Sequence, residues 1–121
     1  MATKQTATST ATPTFRCPVE AMLDVIGGKW KLIVLYWLQE GILRFGELRR
    51  KVPGISERML IQQLRQLEDD GVVHREVYPE VPPKVEYSLT DYGQTLRPIM
   101  KQMYDWGMTH VRQDPGAGPT C

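Results

Sequence analysis

The sequence predicts a mainly α-helical domain that carries a small β-hairpin, and three observations lead to this fold class. Leucines recur through residues 56–70 at the spacing that builds one buried stripe of a helix. Two strand-like stretches, 73–78 and 84–89, follow that helix. A shorter helical stretch, 45–52, and a Pro-Gly turn precede it. A helix, a turn, a second helix and a projecting hairpin, in this order, form a winged helix-turn-helix.

Two further helices are predicted before this unit. The first begins at Pro18, because proline suits the first helical position, and stops at Gly27-Gly28. The second, residues 29–40, is apolar nearly all round and must therefore be buried on most of its faces. Residues 42–44 form a short extended piece between this helix and the helix-turn-helix.

The helix over residues 56–70 divides into two faces. Ser56 is its predicted N-cap, with the hydroxyl accepting a backbone N–H of the first turn. The buried stripe follows the i, i+4, i+7 spacing and consists of Leu60, Leu64 and Leu67. At about 100° per residue, a polar set falls on the opposite, exposed face. Its members are Arg58, Gln62, Arg65 and Asp69.

A single long helix, residues 91–111, is predicted to close the domain, with Thr90 as its N-cap. Pro98 lies inside it and should kink it, since proline removes one backbone hydrogen bond. The helix has a Met-rich apolar stripe, although earlier helices already supply the core, and Gly107 beside Trp106 would allow another helix to approach closely. We therefore expect it to pair with a second copy of the chain. The alternative is that it folds back on its own core.

At 121 residues the chain fits one compact domain, which we place at residues 15–112. Residues 1–14, rich in Thr, Ala and Ser, are expected to be a disordered tail, and residues 113–121 a flexible one. No apolar run approaches the roughly 20 residues of a membrane-spanning helix, and the N-terminus lacks the apolar segment of a secretory signal. We therefore expect a cytoplasmic protein with no membrane partner.

The basic residues are concentrated in one segment. Between Arg44 and Arg65 lie six basic and two acidic residues, so this segment carries +4 while the rest of the chain sums to −3. Such a basic segment attracts the phosphate groups of nucleic acids, so double-stranded DNA is the expected partner.

In a helix-turn-helix the second helix contacts bases in the major groove. There Arg can hydrogen-bond to guanine, Gln can hydrogen-bond to adenine, and Met can contact a thymine methyl group. The expected base-reading residues are Ser56, Arg58, Met59, Gln62, Gln63 and Arg65.

Other cations are expected to contact the DNA backbone, which positions a protein but carries little sequence information. They are Arg49, Arg50 and Lys51 in the third helix, with Arg75 and Lys84 on the wing. The reading helix itself ends in Glu68-Asp69-Asp70, which phosphates would repel, so this end should stay off the DNA. The alternative is that the cations and the polar face are merely solvated.

The wing tip, residues 78–84, lacks the Asn-Gly or Asp-Gly of a tight hairpin, so a longer loop is predicted. Its three prolines reduce the entropy that ordering costs. They are expected to hold Lys84 out from the body, against the DNA backbone or minor groove. A rigid turn with an incidental lysine is the alternative.

The residues weigh against an enzyme. Neither His74 nor His110 has a Ser, Cys or carboxylate set that resembles a triad, and there is no glycine-rich phosphate loop and no metal-ligand spacing. We therefore expect no catalytic residues, no metal and no cofactor. The rival to DNA binding is a winged helix that serves as a protein–protein interaction module.

Nearly all of residues 17–107 resembles one known family, the HxlR-type winged helix-turn-helix regulators of bacteria. The segments that carry the resemblance are CPVEAMLDVIGGKWKLIVLYWL, LRFGELRRKVPGISERMLIQQLRQLEDDGVVHREVYPEVPPKVEYSLTDYG and LRPIMKQMYDWG, with the wing the most specific part. The resemblance implies a homodimeric transcriptional regulator of MarR-like architecture, joined through its N- and C-terminal helices. Its two recognition helices, residues 56–70, would meet two operator half-sites about one helical turn apart.

Cys17 resembles the N-terminal cysteine that several members of this family use to sense electrophiles, quinones or oxidants. A thiol at a helix N-terminus, next to Arg16, has its thiolate favoured by the helix dipole and the positive charge. Most cytosolic cysteines are small buried hydrophobes, so sensing and an inert structural role both stay open. Cys121 departs from the family pattern, and we expect it to have no role, the alternative being that it pairs with Cys17 of the other subunit after oxidation. Control by a small-molecule ligand at the dimer interface is a further alternative, and the effector is unknown.

Overall fold

The computed structural model describes residues 17–111, which form six helices and a three-stranded antiparallel sheet. Both predicted tails lie outside these residues, as do Arg16 and Cys121. The mainly helical fold with a small hairpin is confirmed. In chain order the elements are α1 (Pro18–Ile26), α2 (Lys31–Leu38), β1 (Leu43–Arg44), α3 (Phe45–Lys51), α4 (Glu57–Asp69), β2 (Val73–Tyr78), β3 (Lys84–Leu89), α5 (Asp91–Gln94) and α6 (Arg97–Val111).

Helix α2 forms the centre of the core. Val34, Leu35 and Leu38 are at most 2% exposed, and the other residues of the helix are half-buried. The helix packs against α3, α4, α6 and β3. The prediction that this apolar helix is buried on most of its faces is therefore confirmed, although it is two residues shorter at each end than the sequence suggested.

Helix α4 packs on this core through its leucine stripe, as predicted. Leu60, Leu64 and Leu67 are at most 1% exposed. The hydroxyl of Ser56 accepts a hydrogen bond from the Met59 amide at 3.0 Å, which confirms the N-cap. Because α4 sits with its leucines inward, the opposite side of the helix faces solvent.

The sheet has the strand order β1-β3-β2, with all neighbours antiparallel. The bounds of β2 and β3 agree with the sequence prediction. Their register pairs Val73 with Leu89 at the base of the hairpin and Tyr78 with Lys84 near its tip. On β3, Tyr87 and Leu89 are buried, so the base of the hairpin is anchored in the core while its tip extends away.

The single long helix predicted over residues 91–111 is wrong, because the structure contains two helices there. After α5, the amides of Thr95 and Leu96 bond to carbonyls three residues back, at 3.1 and 3.0 Å, and α6 starts afresh. Pro98 has no N–H for the Gln94 carbonyl, and its ring would clash with that oxygen in a continuous helix. In the first turn of a new helix the missing N–H costs nothing. Pro98 therefore separates two helices instead of kinking one.

Thr90 ties α5 to the end of α4. Its hydroxyl accepts a hydrogen bond from the Gly93 amide at 2.9 Å, which confirms the predicted N-cap, and donates to the Gly71 carbonyl at 2.6 Å. Gly93 itself is buried, and a Cβ at this position would fall inside contact distance of the Val72 carbonyl oxygen. Glycine is therefore required where α5 approaches the backbone of Val72, just before β2.

Replacing Gly93 with alanine should lower the free energy of unfolding by about 1–3 kcal/mol, because the added methyl group overpacks the contact with Val72. Urea denaturation followed by circular dichroism measures the change. Gly46→Ala is the matched control. Its Cβ would meet only the Arg50 guanidinium at an ordinary 3.6 Å, and alanine is favoured over glycine in a helix by about 0.5–1 kcal/mol. Equal losses in both variants would contradict the close-approach explanation.

Candidate nucleic-acid interface

The solvent side of α4 is a shallow concave face, which we call the reading face. Three of the expected base-reading residues, Arg58, Gln62 and Arg65, lie on it and are exposed. Ser56 is exposed at the start of the same helix. Its hydroxyl oxygen accepts the Met59 amide, so its own hydrogen stays available to donate. The structure therefore brings three of the expected residues to one face and leaves Ser56 exposed at the N-terminus of the helix.

Met59 and Gln63 are separated from this set. Both are half-buried, Met59 packs against the core, and Nε2 of Gln63 lies 3.3 Å from Sδ of Met59. The reading face contains Ile61 and Gln66 instead, which sequence reasoning missed. Helical spacing alone would have identified Ile61, because it lies three residues after Arg58.

The cations of α3 border the reading face. Arg49, Arg50 and Lys51 are all exposed. Nη1 of Arg49 lies 3.7 Å from Oε2 of Glu57, and Nζ of Lys51 lies 4.8 Å from the centroid of the Trp37 ring. An exposed ion pair contributes at most about 1 kcal/mol and is screened by salt, so Arg49 can exchange its partner for a phosphate at small cost.

The two acidic residues of the basic zone are both engaged locally. Oε1 of Glu47 accepts a hydrogen bond from the Arg44 amide at 2.8 Å, which caps the start of α3. Glu57 lies beside Arg49, as described above. One of these carboxylates thus caps a helix, and the other forms an ion pair with an arginine. The outward surface of α3 and of the N-terminal part of α4 is dominated by arginine and lysine.

Lys84 does not project from the wing, so that expectation is wrong. Its Nζ lies 4.3 Å from the centroid of the Tyr78 ring and 3.9 Å from Oε2 of Glu86, and its side chain is only 25% exposed. The register of the hairpin explains this, because it places Lys84 opposite Tyr78 and one side-chain repeat from Glu86. The side chain that projects at the tip is Val81, which is 99% exposed. Arg75, on β2, is exposed.

The wing is not a basic element. Residues 73–89 contain two cations and three glutamates, so they carry a net charge of −1 with His74 neutral. A hydrogen bond to the Glu86 carboxylate raises the pKa of the Tyr78 hydroxyl, and the negative charges of Glu86, Glu76 and Glu80 raise it further. The segment from Arg44 to Arg65, which carries +4, is therefore much more positive than the wing.

Cys17 is exposed and immediately precedes α1, where it occupies the N-cap position. Its carbonyl accepts the Ala21 amide at 3.1 Å, and its thiol makes no capping hydrogen bond. The thiol is therefore accessible to reagents in solution, and it stands at one end of a helix with an exposed apolar side.

Helices α1 and α6 both expose large apolar side chains. A groove of about 310 Å³ lies along α1 and is completed mainly by apolar side chains of α5 and by Ile99 at the start of α6. Tyr104 of α6 stacks on Tyr36 of α2, with ring centroids 5.7 Å apart, so α6 is held to the core by one side only. The large exposed apolar side chains of the two helices are Val19, Leu23, Ile99, Met103 and Trp106.

Among residues 17–111, no group of three or more His, Cys, Asp or Glu side chains could hold a metal ion. No helix in this part of the chain combines the length and the apolar character needed to cross a membrane.

Solved structures with the same architecture define the class of this protein. The redox regulator HypR in its oxidized form has a TM-score of 0.74 and 62% sequence identity, over 77% of this chain and 96% of that one. The reduced form of the transcriptional regulator YodB from B. subtilis has a TM-score of 0.67 and 33% identity, over 87% of this chain and 100% of that one. The fold is that of a winged helix-turn-helix transcriptional regulator, a class that binds DNA.

The family follows from the sequence comparisons. The family model described as HxlR-like helix-turn-helix matches residues 25–115. The uncharacterized HTH-type transcriptional regulator YdeP of Bacillus subtilis (strain 168) is 63% identical over 91 residues, which are 75% of this chain and 71% of that protein. The chain belongs to the HxlR-like helix-turn-helix family, and the resemblance stated from its motifs is confirmed. The family is one of transcriptional regulators and is generally non-enzymatic.

Proposed function

We propose that this protein regulates transcription as a homodimer that binds a DNA operator with two half-sites, placing α4 of each subunit in the major groove. The observation that carries the proposal is the joint exposure of Arg58, Gln62 and Arg65 on one face of α4. Glu68 and Asp69 lie at the C-terminal end of that helix and would repel phosphates, so this end stays outside the groove and the N-terminal part enters it. Glu57, the acidic residue of the first turn, lies 3.7 Å from Arg49.

Each residue type on the reading face has a matching base edge. An arginine donates two hydrogen bonds to N7 and O6 of guanine, and a glutamine pairs with N6 and N7 of adenine. The Ser56 hydroxyl donates to a base or to a phosphate at the entrance of the groove. Met59 and Gln63 contact bases only at the edge of the interface, since both are half-buried.

Phosphate contacts fix the position of the reading helix. Arg49, Arg50 and Lys51 border the reading face and bind the backbone on either side of the groove. The wing contributes Arg75 and Lys84, either to the backbone or in the minor groove. To reach a phosphate, Lys84 must leave the Tyr78 ring and Glu86, which costs little because the lysine is partly exposed and both contacts are weak at such positions.

Arg58→Ala and Arg65→Ala should each lose about 1–3 kcal/mol of specific binding free energy, because each removes one bidentate contact to guanine. The probe is a duplex selected with the wild-type protein from a random library, and affinity is measured by fluorescence anisotropy over a series of salt concentrations. Both arginines are exposed, so thermal unfolding should stay at the wild-type value.

Arg97→Ala is the matched control for these variants. Arg97 is exposed at the start of α6, where its Nη1 lies 3.2 Å from Oε1 of Gln94, and the substitution removes the same charge away from α4. An equal loss of affinity in the control would show that net charge alone matters. A wild-type protein whose DNA affinity does not fall with salt would instead favour the protein–protein interaction module.

The exposed apolar side chains of α1 and α6 form the dimer interface in this proposal. A large contiguous apolar patch on a folded domain marks an interaction site, because it costs free energy to keep it in water. In such a dimer, the separation of the two reading faces decides which half-site spacing is recognised.

Trp106→Glu and Leu23→Glu should convert the dimer to a monomer, because each places a charge at an apolar contact that excludes water. Sedimentation equilibrium measures the mass. The matched control is Val81→Glu, which introduces the same group at a 99% exposed position on the wing tip and should stay dimeric. Wild-type protein that sediments as a monomer at micromolar concentration would contradict the dimer.

We further propose that Cys17 makes DNA binding responsive to thiol oxidants or electrophiles. Its thiol is exposed, and it lies at the start of a helix of the proposed interface. The solved structures similar to this chain include the redox regulator HypR in oxidized and reduced forms and diamide-treated YodB. Diamide takes two electrons and two protons from two thiols, which become a disulfide. The second thiol comes from Cys17 of the other subunit or from a small cellular thiol.

Diamide should alter operator binding by the wild-type protein and leave binding by Cys17→Ser unchanged, since serine cannot form the disulfide. Cys121→Ser is the control, and it should respond as the wild type does. Binding is measured before and after treatment, and again after dithiothreitol. An equal response in Cys17→Ser and wild type would end the thiol proposal. No response in the wild type would favour the alternative, a ligand bound in the apolar groove at the same interface.

A further inference from the structure

The reading face contains one apolar side chain among its polar ones, Ile61. It is 36% exposed and lines the same concavity as Arg58, Gln62 and Arg65. The core does not need it, because the leucine stripe of α4 is complete and buried on the opposite side of the helix. An isoleucine at this position therefore faces whatever the reading face binds.

Met59, the residue expected from sequence to meet an apolar group on DNA, is poorly placed for that role. It is half-buried and packs against the core, and its Sδ lies 3.3 Å from Nε2 of Gln63. Its side chain is thus occupied inside the protein. Ile61 makes no such contribution to the core and stands one helical turn from Arg58 on the exposed side.

We propose that Ile61 is a specificity-determining residue that contacts the C5-methyl group of a thymine in each half-site. This step rests on the proposed function, since it requires α4 in the major groove. There the thymine methyl is the one apolar group that a base pair displays, and an aliphatic side chain distinguishes thymine from cytosine by contacting it. In this proposal Ile61 contacts the methyl group of a base, whereas Arg58, Gln62 and Arg65 form hydrogen bonds with base edges.

The position of the thymine follows from the spacing of the helix. Side chains three or four residues apart on a recognition helix meet successive base pairs. Ile61 lies three residues after Arg58 and four before Arg65. The thymine is therefore expected between the base pairs that the two arginines contact, on either strand.

Replacing thymine with deoxyuridine tests the contact, because uracil keeps every hydrogen-bonding group of thymine and lacks only the methyl. Each thymine of the selected duplex is replaced in turn, in one half-site at a time. Wild-type affinity should fall about fourfold at one position, the effect of one buried methyl group. Ile61→Ala should bind the thymine duplex more weakly than wild type does and lose its sensitivity at that position, while other positions are unaffected.

Ile42→Ala is the matched control, because it makes the same change at a 62% exposed position outside α4, and it should keep the wild-type sensitivity to uracil. Thermal unfolding checks that Ile61→Ala is folded, as its exposed position predicts. Uracil sensitivity that persists in Ile61→Ala, that disappears in Ile42→Ala, or that is absent from every position in the wild type overturns the inference. Salt-dependent binding by the wild type would leave the proposed function standing in each of these cases. A wild-type protein that selects no duplex overturns both proposals.

Discussion

The orientation of α4 on the core is the constraint on which the rest of the molecule depends. Leu60, Leu64 and Leu67 are almost completely buried against the centre of the fold. Each contributes roughly 1.5–3 kcal/mol by leaving water. A rotation of the helix by one residue, about 100°, would expose this stripe and turn cations such as Arg58 or Arg65 inward. The face offered to DNA is therefore determined by core packing, and the arginines need no partner in the protein to hold it outward.

The basic segment from Arg44 to Arg65 and the wing differ in net charge, and we therefore expect them to contribute differently to DNA binding. In the basic segment, the two acidic residues make a helix cap and one ion pair. Glu68 and Asp69 lie beyond this segment, at the C-terminal end of α4. The wing carries a net charge of −1, and its lysine rests on Tyr78. Long-range attraction to DNA therefore acts through α3 and α4. The wing is left with short-range contacts, made by a tip whose most exposed side chain is Val81.

The sequence predicted the fold wherever its signals were local. Periodicity and capping residues located α4, and strand patterns located β2 and β3 to the residue. The errors concern contacts between distant residues. Lys84 folds back because the register sets Tyr78 opposite it, and Met59 is covered because the core closes over one flank of α4. Pro98 is compatible both with one kinked helix and with two separate helices, and the sequence alone does not distinguish between them.

The packing also connects the proposed interface to the reading face. Tyr104 of α6 stacks on Tyr36 of α2, and α2 in turn packs directly against α4. Close-packed helices move as bodies, because their interdigitated side chains resist gradual deformation. A change in how α1 and α6 meet a second subunit would therefore shift α4 together with α2. In the proposed dimer, a signal would thus change the distance between the two reading faces, and each face would keep its own set of base contacts.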